Sequence, residues 1–316
     1  MQYNKRVLVI VSALVATVLV VAALKTTLNN SGPNGKLDMP VDIAITTVTP
    51  PAPEFSKAEN TADGYDAAPE PAPDKQSAGT FGKFFTDGKA AKPAFSLTFD
   101  DGPGVTTPEL LNLLAKNNAK ATFFMLGDAV KRLPGNAALV AKGGHLIGNH
   151  TYSHNHVEKR ANKESAAEEE ICRTEQLIKK ATGRTPVLLR MPYGISRGWV
   201  KTLAAQTGYD LVNWTYGADW WTVPREQILK QYLDHLHPGV VFLMHDGGSS
   251  KRETTLWLVE RILKEAKVRK LTPVTLDVLL GLDIKELERA KAALPNKCRI
   301  YEKETASPGK GTEEGY

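Results

Sequence analysis

Between residues 94 and 277 the chain alternates two hydrophobic rhythms. Strand-like apolar runs fall at 94–99, 121–126, 145–149, 187–190, 209–214, 240–244 and 271–276. The segments between them carry apolar residues at helical spacing, among them Pro108 to Asn117, Glu164 to Ala181, Arg225 to His237 and Thr254 to Arg269. In the second of these, Ala167, Ile171, Thr174, Ile178 and Ala181 fall along one face of a helix with 3.6 residues per turn. Seven such units fit one compact α/β domain built on a parallel sheet. The rhythm alone does not separate a closed barrel from an open sheet.

Outside this region the pattern changes. Residues 1–6 carry Lys5 and Arg6, and Val7 to Leu24 then runs 18 residues without a charge. A secretory core needs roughly 7–15 apolar residues and a spanning helix roughly 17–25. The length favours a retained anchor over residues 7–24, with the basic residues keeping 1–6 in the cytoplasm. Cleavage near Val21-Ala22-Ala23, giving a secreted protein, is the alternative. Residues 25–80 are rich in Pro and Ala, as in Pro50-Pro51-Ala52-Pro53, and predict an extended, disordered stalk rather than a core. Phe81, Phe84 and Phe85 are expected to pack on the folded unit, which is taken as 81–283. Residues 284–316 complete the chain as a short helix, Glu286 to Leu294, and a disordered tail from Thr305. The expected location is the cell membrane, single-pass, with the folded unit outside the cytoplasm.

Candidate chemistry collects where the apolar runs end. The first run ends in Thr98-Phe99-Asp100-Asp101-Gly102-Pro103, and His150 and His154 follow the third. Adjacent carboxylates at the end of a core strand are costly unless something cationic pairs with them. Two histidines at i and i+4 can reach one divalent ion. Thr151 follows the first histidine, so a general base must come from elsewhere, and Asp100 and Asp101 are the candidates. Neighbours on a strand point to opposite faces, and the spacing does not decide which aspartate binds and which acts as base. Later runs end in Arg190-Met191-Pro192-Tyr193-Gly194, in Asp219-Trp220-Trp221, and in His245-Asp246-Gly247-Gly248. Functional groups at the carboxyl ends of successive strands are what a β/α barrel active site requires.

These five clusters, in this order, resemble the motifs of the polysaccharide deacetylases, the NodB-homology proteins of carbohydrate esterase family four, over about residues 93 to 280. The resemblance implies a distorted, incomplete (β/α)7 barrel. It implies Asp100 as catalytic base, Asp101, His150 and His154 as metal ligands, and Arg190 as the residue that holds Asp100. It further implies an oxyanion contact from the Tyr193 backbone N–H, His245 as general acid tuned by Asp219, and Trp220 as a wall of the site. The chemistry is consistent with this. An amide is a poor electrophile, and a divalent ion would polarise it and lower the pKa of water towards ~7. The cofactor implied is one divalent ion, zinc first, with cobalt, nickel or iron as alternatives. The reaction implied is removal of N-acetyl groups from a polysaccharide containing N-acetylglucosamine, of peptidoglycan or chitin type. The alternatives are O-deacetylation of xylan and a non-catalytic carbohydrate-binding protein on the same scaffold.

The remaining features change little. His145, His156, His235 and His237 read as structural, with His156 the substitute should one ligand histidine be misassigned. Cys172 and Cys298 are far apart in sequence, and the reading favours two free thiols over a bridge. A formal charge of +5, from 40 Lys and Arg against 35 Asp and Glu, is scattered over helices and does not point to nucleic acid. The oligomeric state is not readable from the chain.

Overall fold

A computed structural model of the chain describes residues 80–88, 93–248, 252–295 and 298. The segments expected as anchor and stalk, and the tail from Thr305, lie outside the described residues. Among the described residues no helix is long and apolar enough to cross a membrane.

The strands are β1 (Phe84–Phe85), β2 (Ala94–Gly102), β3 (Thr122–Met125), β4 (Leu146–Asn149), β5 (Leu188–Leu189), β6 (Asp210–Val212), β7 (Tyr216–Gly217), β8 (Val241–His245) and β9 (Thr272–Pro273). The helices are α1 (Thr107–Lys116), α2 (Gly127–Arg132), α3 (Pro134–Lys142), α4 (Lys163–Thr182), α5 (Gly198–Thr207), α6 (Arg225–Asp234), α7 (Glu253–Val268), α8 (Leu276–Leu280) and α9 (Ile284–Ala293). The sheet order is β1-β6-β5-β4-β3-β2-β8-β7, with β9 pairing β2, and the pairings are parallel. Parallel neighbours need crossover connections, and α1 to α7 supply most of them.

The sheet must curl, because β6 runs almost directly into β7 although the two lie far apart in the strand order. In the connecting stretch, Asn213 N donates to Phe85 O on one side and Thr215 N donates to Val241 O on the other. β1 and β7 do not pair as a ladder; Thr215 Oγ1 reaches Thr86 O at 3.1 Å. The barrel is therefore incomplete, as the family resemblance implies. The layer between the sheet and its helices is apolar, with Phe95, Leu97, Phe99, Phe123, Phe242 and Met244 buried together with Leu110 and Leu114 of α1 and Leu258 and Ile262 of α7.

Several expectations are refined. On α4, Ala167, Ile171, Thr174 and Ile178 are buried, and Gly183 ends the helix at φ 68, a left-handed conformation that glycine adopts without steric cost. α6 stops at Asp234, and His235 caps it, so His237 lies beyond the helix. The two-residue strands β1 and β7 are too short to show a period. Phe81 is buried beside Val187 and Leu287, but Phe84 is 37% exposed with the Lys201 ammonium 5.4 Å from its ring.

The free-thiol expectation is wrong: Cys172 and Cys298 form a disulfide, with Cα atoms 4.8 Å apart. α4 turns Cys172 into the core, and the chain after α9 returns to meet it. The same region holds a buried ionic cluster. Lys291 of α9 lies 2.6 Å from Glu175 Oε2 of α4 and donates to Pro186 O at 2.8 Å.

Candidate active site

In a parallel sheet all strands end on the same side, and the predicted site residues gather there. β2 carries Asp100 and Asp101 to its end. Asp101 departs from strand geometry, at φ 67, and this turns both carboxylates towards one point. Asp100 Oδ2 and Asp101 Oδ1 each lie 3.6 Å from His150 Nε2. His154 Nε2 is 3.5 Å from Asp101 Oδ1.

The histidine loop leaves β4 and is itself left-handed at Thr151 (φ 69) and His154 (φ 58). Such a φ is costly for a β-branched residue and persists only where neighbours enforce it. Asn149 Oδ1 accepts from Thr151 N at 2.9 Å. Glu170 on α4 accepts from Tyr152 N, Ser153 N and Ser153 Oγ at 2.7–2.9 Å. His150 Nδ1 donates to Arg190 O at 2.7 Å, which leaves the Nε2 lone pair facing Asp101.

These three groups suit a divalent ion. Asp101 Oδ1 is buried without a hydrogen-bond partner, and one atom from each of Asp101, His150 and His154 falls within 4.8 Å of the others. Two imidazole nitrogens and one carboxylate oxygen form a common donor set for first-row metals. Burial pushes the Asp101 carboxyl up, but His150, His245, His154 and Arg252 outweigh it and hold it below its ordinary value. Burial and the neighbouring His150 lower His154, despite Asp101 and Asp100, which favours the neutral ligand form.

Asp100 faces the cluster from below and is 2% exposed. Arg190, at the end of β5, donates Nη1 to Asp100 Oδ1 and to Thr98 Oγ1 at 2.8 Å. Its Nε and Nη2 donate to Val212 O and Asn213 O, and the Phe124 ring lies 4.1 Å away. The guanidinium is thus fixed on several sides, and Asp100 with it.

On the other side, His245 Nδ1 donates to Asp219 Oδ1 at 2.8 Å. Asp219 Oδ2 accepts from His245 N and Thr255 Oγ1. Nε2 is left as the ring atom able to give a proton. Burial pulls the imidazole down, but Asp219, Asp100 and Asp101 more than reverse this, and its pKa is raised. Trp220 is 47% exposed and meets the His245 ring edge-on at 5.2 Å. Tyr193, left-handed at φ 60, stacks on His156 at 3.7 Å and meets His154 edge-on at 4.7 Å.

All nine predicted site residues therefore meet on one rim. The histidines read as structural stay outside the cluster. His156 bonds Glu158, His235 bonds Gln231 O, and His237 is exposed and bonds Pro238 O. His145 accepts from Ala121 N and is pulled to about 4 by burial and by Lys120. The sequence reading missed Glu170 and Asn149, and gave Thr98, the first residue of its leading motif, no contact to Arg190. Of the first two, only Asn149, a polar residue ending an apolar run, carried a local signal.

A curled parallel sheet with a His-His-Asp cluster between a carboxylate and a histidine defines a hydrolase of the incomplete β/α barrel class. Residues 87–212 match the polysaccharide deacetylase family. A peptidoglycan-N-acetylglucosamine deacetylase of Bacillus cereus is 35% identical over 189 residues, covering 58% of this chain and 87% of the relative. A chitooligosaccharide deacetylase of Azorhizobium caulinodans is 33% identical, over 51% and 77% of the two chains. The crystal structure of the Bc1960 peptidoglycan N-acetylglucosamine deacetylase superposes with a TM-score of 0.60 at 30% identity, over 64% of this chain and 94% of that one. The chain belongs to the polysaccharide deacetylase family, the NodB-homology enzymes of carbohydrate esterase family four.

Proposed function

We propose that the protein is a metal-dependent deacetylase that removes the N-acetyl group from N-acetylglucosamine units of a peptidoglycan or chitin-type polysaccharide. The observation that carries this reading is the pairing of two oppositely prepared groups across the Asp101-His150-His154 cluster. Asp100 is held by a cation and His245 by an anion. A divalent ion, zinc first, held by Asp101, His150 and His154 would supply Lewis acidity towards the amide carbonyl.

The protein's own residues handle the protons. Asp100 accepts a proton from the attacking water, with Arg190 keeping the carboxylate in place. The Tyr193 N–H donates to the oxyanion. His245 Nε2 gives its proton to the departing amine, and acetate and a free amino sugar result. Trp220 and Tyr193, both partly exposed on the rim, offer faces for sugar rings.

Residues 7–24 serve as a membrane anchor, 25–80 as a stalk, and the catalytic unit works outside the cytoplasm. The Cys172–Cys298 bridge supports that location, because disulfides persist in oxidising compartments. The test is acetate release by the full chain from peptidoglycan, N-acetylglucosamine oligomers and acetylated xylan, with zinc or cobalt added and then chelated. Metal-dependent release from an N-acetylated glycan is expected. Release only from xylan would reassign the enzyme to ester substrates, and binding without release would reassign it to carbohydrate recognition.

A further inference from the structure

The residue after His245 has no part in the chemistry above, yet it is among the most enclosed polar groups in the protein. Asp246 is 0% exposed. Its Oδ2 accepts from Thr107 Oγ1 at 2.5 Å, and its Oδ1 is buried without a hydrogen-bond partner. Its backbone N donates to Asp100 O at 3.2 Å.

The carboxyl fills a space that a glycine leaves. A Cβ on Gly102 would collide with both Asp246 carboxyl oxygens. A Cβ on Gly104 would collide with Asp246 O, and one on Gly247 with the carbonyl of Asp101. Two segments, 100–104 at the end of β2 and 245–248 at the end of β8, are therefore interlocked at three glycines, with the Asp246 side chain as the wedge. Thr107 closes the lock. Its hydroxyl accepts from Gly104 N at 2.8 Å and donates to Asp246, tying the first turn to the start of α1.

This lock holds the backbone next to Asp101, the residue in the left-handed conformation that swings its carboxylate towards His150 and His154. A left-handed non-glycine residue persists only where its surroundings over-determine it. We propose that Asp246 is a positioning residue: wedged between Thr107 and Gly102, it fixes the turn that presents Asp101 to the histidine pair, and so sets metal affinity without touching metal or substrate. The proposal rests on Asp101, His150 and His154 being the metal ligands.

The test is zinc affinity of the full chain by competition with a chromophoric chelator, with folding checked by circular dichroism at the same temperature. Asp246→Ala is expected to weaken zinc binding about 10- to 100-fold, the usual effect of losing support behind a ligand. Its turnover should recover in excess zinc with KM for the glycan unchanged. Asp246→Asn keeps the shape and the acceptor for Thr107, and should bind zinc like the wild type. Wild-type affinity in a folded Asp246→Ala protein would overturn the proposal, as would an equal loss in Asp246→Asn. If Asp246→Ala does not fold, Thr107→Val decides the question by removing only the hydroxyl: weaker zinc binding supports the wedge, and unchanged binding overturns it. Absence of zinc binding in the wild type, matched by an Asp101→Ala control, would instead remove the metal-site reading itself.

Discussion

Two buried carboxylates in this protein each sit on a buried cation, and only one of them belongs to the rim where the chemistry gathers. Asp100 lies 2.8 Å from Arg190, and Glu175 lies 2.6 Å from Lys291. Around Glu175 the polar side chains engage one another. Tyr209 donates its hydroxyl to Glu175, Asn149 donates to Tyr209, and the Lys291 ammonium sits 3.2 Å from the Tyr209 ring centre. Around Asp100 the cation is equally satisfied, but the neighbouring Asp101 Oδ1 has no hydrogen-bond partner. The backbone is left-handed at Asp101, Thr151, His154 and Tyr193. A buried ion pair alone does not mark function. An unengaged acceptor beside backbone held in a costly conformation does.

Four substitutions would sharpen or break that contrast. Asp100→Asn keeps an acceptor for Arg190 but removes the base, and should lower kcat of the folded protein about 10²- to 10⁴-fold in an acetate-release assay. It also leaves the buried Arg190 guanidinium without its counter-charge and should lower the melting temperature. Lys291→Met leaves Glu175 charged and unpaired, and should cost about 3–5 kcal/mol of stability by urea unfolding. The turnover of its folded fraction should stay at the wild-type level, and a comparable fall in kcat would mean that the two regions are not separate. Cys298→Ser opens the bridge to α4 and should cost about 2–5 kcal/mol, again read by unfolding and again without loss of turnover.

The smallest change is a shift in pH profile. Asp219 raises the pKa of His245. As general acid, His245 works while protonated, so kcat should fall as pH rises through its raised value. Asp219→Asn should move that limb to lower pH. The same interaction stabilises the fold fully below the unfolded histidine value, and that contribution is lost as pH rises through the folded one. An unmoved limb in Asp219→Asn would separate the limb from His245.

The rim was largely readable because each functional cluster ends an apolar run, and a parallel sheet carries every such end to the same side. The sequence did not resolve how two adjacent carboxylates face one point, because that depends on one backbone angle at Asp101. The Glu175 region was less visible for a different reason. Glu175 shares the buried face of α4 with Ile171 and Ile178, and Lys291 stands one turn after Leu287 on α9. A charge on an apolar face was the available signal, but each charge looks isolated until the fold brings its partner. Cys298 gave no periodic hint, since it follows α9 in a stretch without pattern.

The bridge also divides the working parts. The covalent ring closed by Cys172 and Cys298 encloses Arg190, Tyr193, Asp219 and His245, while Asp100, Asp101, His150 and His154 lie on the chain that precedes it. A protease that nicks one peptide bond inside the ring leaves the pieces joined, and they separate on a gel only after reduction. A nick between His154 and Cys172 releases the portion carrying Asp101, His150 and His154 whether or not reductant is present.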